Sequence, residues 1–314
     1  MTVVAAVDCG TNSIRLLVAR AGGSTPLVDI HREMRVVRLG QGVDATGTFA
    51  DEAIERTRSA LADYVEVMVS AGVERVRMVA TSATRDASNR EQFFEMTAQL
   101  LARVTPGAVA EVITGDEEAQ LSFRGAVAEL DTDQGPFVVT DLGGGSTEVV
   151  LGDGTGVLAG YSADVGCVRV TERALHSDPP TNDEISAAMQ FIVGRLNGAF
   201  AAVPVDNART WVGVAGTLTT LAALHLGLDD YDSAAIHLSR VSLHDLDTQC
   251  QRVLGMTRVE RAALGPMHPG RVDVIGGGSL VTMALAHELC RCGITELVVS
   301  EHDILDGIAL GLLD

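Results

Sequence analysis

Two aspartates, Asp8 and Asp141, each close a β-branched apolar run and stand before a turn built from glycine, serine, threonine and asparagine. The first copy reads Val7-Asp8-Cys9-Gly10-Thr11-Asn12-Ser13-Ile14-Arg15-Leu16. The second reads Thr140-Asp141-Leu142-Gly143-Gly144-Gly145-Ser146-Thr147-Glu148-Val149. In each, a second apolar run leads back. Two strands joined by such a turn present several backbone N–H groups at one point, a concave anion site. An aspartate beside it can hold a hard divalent cation, directly or through water. A lone turn aspartate more often bonds its own backbone. Written twice, the pattern points to two related domains facing one another across a phosphate-binding cleft, with Asp8 and Asp141 converging on a metal. The residue seven positions after each aspartate differs, Arg15 in one copy and Glu148 in the other. This divides the labour, with Arg15 on phosphate and Glu148 on metal or water. Gly143–Thr147 is the richest N–H donor loop, because glycine lets a ligand approach the backbone closely.

Between the two copies lies the segment Thr114-Gly115-Asp116-Glu117-Glu118. Thr114 and Glu117 have the spacing of a capping box, which accounts for Glu117. Glu118 has helical neighbours Leu121, Ser122 and Gly125, a small uncharged strip suited to facing a cleft. A carboxylate there can orient or deprotonate water; taken alone, a solvent-facing glutamate is the more ordinary reading. Arg85 falls in Thr81–Asn89, between a strand and a helix, where ligand loops occur. It can fork onto phosphate oxygens, while Ser88 or Asn89 caps the helix. Gly213–Thr217 and Gly276–Gly278 read as two further glycine turns, better suited to close packing than to nucleotide contact.

The elements that must position these residues follow from periodicity. Strands are expected at Val3–Val7, Ile14–Ala19, Val36–Leu39, Val76–Thr81, Ala108–Ile113, Gly156–Tyr161, Thr210–Val214 and Leu297–Val299, besides the second hairpin. Helices are expected from Asp51 to about Ser70, at Asn89–Arg103, from about Asp116 to Glu129, at Val168–Leu175, around Asp183–Phe200, and at Leu243–Leu254, Val281–Cys290 and Asp303–Leu313, and one more starts at Gly216. Gly40–Gly47 reads as a turn-rich stretch. Strand meanders followed by β/α alternation, twice over, give an α/β architecture. The expected domains are 1–125, with the helix from about 303 to 314 packing back on it, and 126–314.

Composition narrows the function classes. The 314 residues, 46% hydrophobic, suffice for two cores. No apolar stretch reaches the roughly 18 residues of a membrane span, and the start shows no secretory pattern. A cytoplasmic protein with no membrane partner is expected. A net charge of −19 argues against binding a nucleic-acid polymer. It leaves phosphorylated substrates open, since screening confines exposed charges to roughly 8 Å. All 23 basic residues are arginine, which excludes lysine-dependent P-loop, Schiff-base and pyridoxal chemistry. Five scattered cysteines fit a reducing compartment rather than a disulfide framework, and the histidines show no ligand spacing.

Taken together, Val7–Leu16, Ala80–Arg85, Ile113–Ala119, Asp141–Glu148 and Gly166–Glu172 resemble the exopolyphosphatase/guanosine pentaphosphate phosphohydrolase (Ppx/GppA) family. The resemblance implies two duplicated actin/Hsp70/sugar-kinase-like (ribonuclease H-like) α/β domains around a central cleft. It places the catalytic glutamate on Glu118. The first phosphate loop falls on Gly10, Thr11, Asn12 and Ser13, and the second on Gly143, Gly144, Gly145, Ser146 and Thr147. Metal-associated acids fall on Asp141 and Glu148, with Asp8 a further one, and Arg85 matches an arginine associated with phosphate. The cofactor implied is Mg2+ or Mn2+. The chain ends at Asp314, without the C-terminal helical extension of longer members, which favours short polyphosphate. The activity implied is hydrolysis of the terminal phosphoanhydride of polyphosphate. Guanosine pentaphosphate (pppGpp) is the alternative substrate; an ATP-dependent sugar or acetate kinase and a non-catalytic sensor are further alternatives. A homodimer is compatible with the pattern.

Overall fold

A computed structural model describes residues 2–23 and 26–314. The chain forms two compact units, Met1–Glu129 with Ile304–Asp314, and Leu130–Asp303.

The first unit contains β1 (Val3–Cys9), β2 (Ser13–Ala21), β3 (Leu27–Val36), α1 (Val43–Thr46), α2 (Asp51–Ser70), β4 (Arg75–Ala80), α3 (Ser82–Asp86), α4 (Glu91–Leu101), β5 (Glu111–Val112) and α5 (Gly115–Val127). Its sheet runs β3-β2-β1-β4-β5, with β1 antiparallel to β2 and parallel to β4. The unbroken apolar run of β1 is what a strand buried on both faces requires. The third strand begins nine residues before the expected Val36–Leu39 and ends at Val36, where that range starts. Leu27–Val36 alternates apolar residues with Asp29, His31, Glu33 and Arg35, and is mostly half-buried. Those charges conceal its strand signal and protect a sheet edge. Val37 and Leu39 are buried in a loop instead, where the amides of Val37 and Arg38 donate to Asn12 O. The expected turn Gly40–Gly47 contains α1, flanked by Gly42 and Gly47 with φ of 76° and 67°. Of the expected strand Ala108–Ile113, only Glu111 and Val112 pair with β4. Neither Ser88 nor Asn89 caps α4. Ser88 Oγ donates to Gly47 O, and the Asn89 amide clasps the Phe49 backbone in both directions.

The second unit contains β6 (Phe137–Leu142), β7 (Thr147–Asp153), β8 (Gly156–Ala163), α6 (Cys167–Ala174), α7 (Asn182–Ala202), β9 (Thr210–Val214), α8 (Ala215–His225), α9 (Ser233–Ile236), β10 (Arg240–Ser242), α10 (Leu243–Leu254), α11 (Arg258–Ala262), α12 (Ile275–Arg291) and β11 (Glu296–Val299). Its sheet order is β10-β11-β9-β6-β7-β8. The antiparallel meander β6-β7-β8 and the parallel strands β9 and β11 repeat the order of the first unit, with β10 added at the edge. This is the duplicated ribonuclease H-like α/β fold.

Gly276–Gly278 is not a turn but the opening of α12. Glycine costs about 1 kcal/mol per helical position relative to alanine, and packing explains its presence. A Cβ on Gly277 would lie 2.6 Å from Cys167 O, and one on Gly278 would lie 2.5 Å from Thr217 Oγ1. Likewise there is no loop at Gly213–Thr217, because β9 passes directly into α8 through Ala215 at φ 70°.

The last helix, α13 (Ile304–Leu313), belongs to the first unit. Ile304, Leu305, Ile308 and Ala309 pack against Val4, Ala6, Leu17, Ala19, Val79 and Ile113. Asp306, buried in that contact, receives Arg32 of β3 at 2.5 Å. Gly307 lets α13 touch α5, since a Cβ there would lie 1.9 Å from Leu121 O. Gly307→Ala is therefore expected to destabilise the protein by about 3 kcal/mol, the upper range for overpacking. A lower denaturation midpoint at unchanged slope would show it.

Candidate active site

In the first unit the strand ends gather the site. The parallel strands β1, β4 and β5 lie side by side, and their carboxyl ends lead into Gly10–Ser13, Thr81–Arg85 and Thr114–Glu118. Loops at the carboxyl ends of parallel strands are the usual ligand sites of α/β sheets. Thr81 N donates to Cys9 O, and Ile113 N to Ala80 O, so the three connections are stitched together. The hairpin turn closes by Gly10 N donating to Ser13 O at 3.0 Å. Its Thr11 and Asn12 carbonyls accept from Gly40, Val37 and Arg38. Among the described residues the amides of Thr11 and Asn12 have no protein acceptor, which leaves them as donors for an anion.

Asp8 and Arg15 face each other across β1 and β2. The guanidinium binds Asp8 Oδ2 through Nε at 3.0 Å and Nη2 at 2.6 Å, with Asp8 only 4% exposed. The acid and base that the sequence placed on separate tasks are thus an ion pair.

Glu118 lies in the first turn of α5 and is 7% exposed, so the solvent-facing reading does not hold. Arg85 Nη1 donates to Glu118 Oε2 at 2.7 Å and to Ile113 O at 3.1 Å. Among the described residues, Nε and Nη2 of Arg85 have no protein partner. One edge of this guanidinium therefore fixes the carboxylate, and the other has the geometry to fork onto an anion. The capping box is only half made. Thr114 Oγ1 accepts from Glu117 N at 3.2 Å, but the Glu117 carboxylate goes to Arg77 at 2.6 Å.

The second unit repeats the hairpin with different chemistry. Gly143 N donates to Ser146 O at 3.0 Å, the same turn bond as in the first copy. The carbonyls of Gly143 and Gly144 accept from the amides of Cys167, Val168 and Arg169, which open α6. Arg169 Nε donates to Gly145 O at 2.9 Å. The loop is thereby docked onto a helix start, and the amides of Gly144 and Gly145 have no protein acceptor among the described residues. Ser146 is buried, and the Thr147 hydroxyl is committed to Val165 O at 2.6 Å. Where the first hairpin places Arg15 opposite its aspartate, this one places Glu148 opposite Asp141. The two are 1% and 7% exposed, and Ser162 Oγ donates to Glu148 Oε1 at 2.6 Å. Two carboxylates directly opposed on one face repel each other. Their oxygen-only donor set matches Mg2+ or Mn2+ rather than a softer metal.

Four contributors went unassigned in the sequence. Arg169 and Gly166 lay within a matched segment, but only the fold sets them against the loop. A Cβ on Gly166 would stand 2.5 Å from the carbonyl carbon and oxygen of Gly144. Gly166→Ala is therefore expected to displace the loop and lower kcat/KM about 100-fold, the scale of a 1 Å misplacement at a site. Ser162 gave no signal. Arg271 packs its guanidinium over Gly216 at the start of α8 and donates to Thr220 Oγ1 at 2.9 Å. Among the described residues it ion-pairs with no carboxylate.

A fold with two such sheets and glycine-turn hairpins carrying acidic residues defines a phosphate-handling α/β class. Residues 17–311 match the model of the Ppx/GppA phosphatase family. The chain is 63% identical over 316 residues to Exopolyphosphatase 2 of Mycobacterium tuberculosis, covering 99% of each. Among solved structures it matches an exopolyphosphatase-like protein at 42% identity and TM-score 0.92, covering 99% of this chain and 97% of the other. It also matches the Aquifex aeolicus PPX-GPPA enzyme at 30% identity and TM-score 0.79, covering 99% of each. The chain belongs to the Ppx/GppA phosphatase family.

Proposed function

We propose that this chain hydrolyses the terminal phosphoanhydride of inorganic polyphosphate, preferably short chains, and releases orthophosphate with the help of Mg2+ or Mn2+. The observation that carries the substrate class is the 63% identity, over essentially the whole of both chains, to a relative named Exopolyphosphatase 2.

The amides of Thr11 and Asn12 and those of Gly144 and Gly145 donate to phosphate oxygens, as does the outward edge of Arg85. Arg15, paired with Asp8, keeps the first hairpin from being a second acidic site and adds positive charge beside the phosphate loop. This moves the metal assignment onto Asp141 and Glu148, with Asp8 supporting Arg15 rather than binding a cation. A divalent ion there supplies charge neutralisation on the phosphate oxygens. Glu118, fixed by Arg85, orients a water and takes its proton as the water attacks the terminal phosphorus. Such transfers depend chiefly on positioning and electrostatics. No helix among the described residues is long and apolar enough to cross a membrane. The five cysteines are free thiols, in keeping with work in the reducing cytoplasm.

Phosphate release from short polyphosphate, long polyphosphate and guanosine pentaphosphate, measured under identical conditions with added Mg2+, tests this reading. Fastest release from short polyphosphate is expected. Turnover of guanosine pentaphosphate alone would overturn the substrate assignment. ATP consumption that requires an added sugar or carboxylate would overturn the reaction class.

A further inference from the structure

We propose that Ser162 is a positioning residue for the cation held by Asp141 and Glu148, acting through a hydrogen bond that aims the Glu148 carboxylate. The inference rests on the metal assignment above.

Ser162 of β8 lies directly opposite Glu148 of β7, which lies opposite Asp141 of β6. The three residues form one rung across adjacent strands, and directly opposed residues share a face of the sheet. The Ser162 hydroxyl donates to Glu148 Oε1 at 2.6 Å, the short distance of a hydroxyl on a charged carboxylate. A hydroxyl has one proton to give, and here it is given to one named oxygen. The bond fixes which edge of the carboxylate lies towards Ser162 and which lies away from it. The terminal torsion of a glutamate is broad, so losing the hydroxyl loosens the orientation of the carboxylate. Glu148 is nearly inaccessible to bulk water, so solvent is a poor substitute for the lost donor. The usual effect of removing such an outer partner is a 10- to 100-fold loss of metal affinity.

Mn2+ binding to the full chain without substrate, followed by the electron paramagnetic resonance signal of the free ion, gives a readout independent of turnover. Ser162→Ala is expected to weaken binding at least about 10-fold. Ser162→Thr keeps the hydroxyl in a strand that accepts β-branching, and is expected to restore parental affinity. Asp141→Asn in the same assay is expected to abolish binding. If Asp141→Asn binds Mn2+ like the parent, the metal assignment fails. If Asp141→Asn abolishes binding while Ser162→Ala binds normally, the role of Ser162 fails. Equal losses in Ser162→Ala and Ser162→Thr would trace the effect to strand packing, and would also overturn it.

Discussion

Glu118→Gln is expected to lower phosphate release about 1,000-fold, within the 10²–10⁴ range for loss of a general base, while the protein stays folded. The amide has the shape of the carboxylate, and its oxygen can still accept from Arg85 Nη1, which now reaches Glu118 Oε2 at 2.7 Å. What disappears is the capacity to take a proton from water. Arg85 keeps its bond to Ile113 O, so the cost in stability is about 1 kcal/mol, that of one hydrogen bond weakened from charged to neutral. Glu117→Gln is the matched control. Its neighbouring carboxylate is half-exposed and paired with Arg77 at 2.6 Å, an ion pair worth about 1 kcal/mol or less, and turnover should be unaffected. Equal rates for Glu118→Gln and the parent would remove Glu118 from the chemistry.

Glu148→Gln is expected to remove both Mn2+ binding and turnover, and its effect on stability has a distinctive sign. In the metal-free protein Asp141 and Glu148 are like charges on one rung of the sheet, so neutralising one relieves repulsion. With chelator present the variant should unfold at the same denaturant concentration as the parent, or a higher one. With metal at 100 times its dissociation constant the parent should gain about 2.7 kcal/mol by linkage, and the variant nothing. On adding metal the parent therefore becomes the more stable of the two. A variant less stable than the parent in chelator, with the same metal response, would contradict the assignment of this pair.

Much of this was legible in the sequence because the hairpins use strong local signals. Apolar β-branched runs and glycine turns fix β1, β2, β6 and β7, and helical spacing gives α10 to the residue and the extent of α2 closely. What escaped was decided between segments. The Asp8–Arg15 ion pair and the opposed Asp141–Glu148 carboxylates share one spacing, but only strand register shows that the first cancels its charge and the second accumulates it. The expected strand Gly156–Tyr161 stops short of Ser162. The real strand runs on to Ala163 because it pairs with β7 along the whole rung. Tertiary packing overrode the weak helix propensity of Gly276–Gly278, and the charges of β3 hid an edge strand. Taken alone, Glu118 reads as a surface residue, and only the family resemblance marks it as catalytic; its burial and its bond to Arg85, from a different connection, come from the fold.

Hydrolysis in water enriched in oxygen-18 tests the central claim most directly, with released orthophosphate and residual polyphosphate analysed separately. If the water oriented at Glu118 attacks the terminal phosphorus, each released orthophosphate should carry one solvent oxygen and the shortened chain none. Label retained at the end of the shortened chain, or release of fragments longer than orthophosphate, would contradict it.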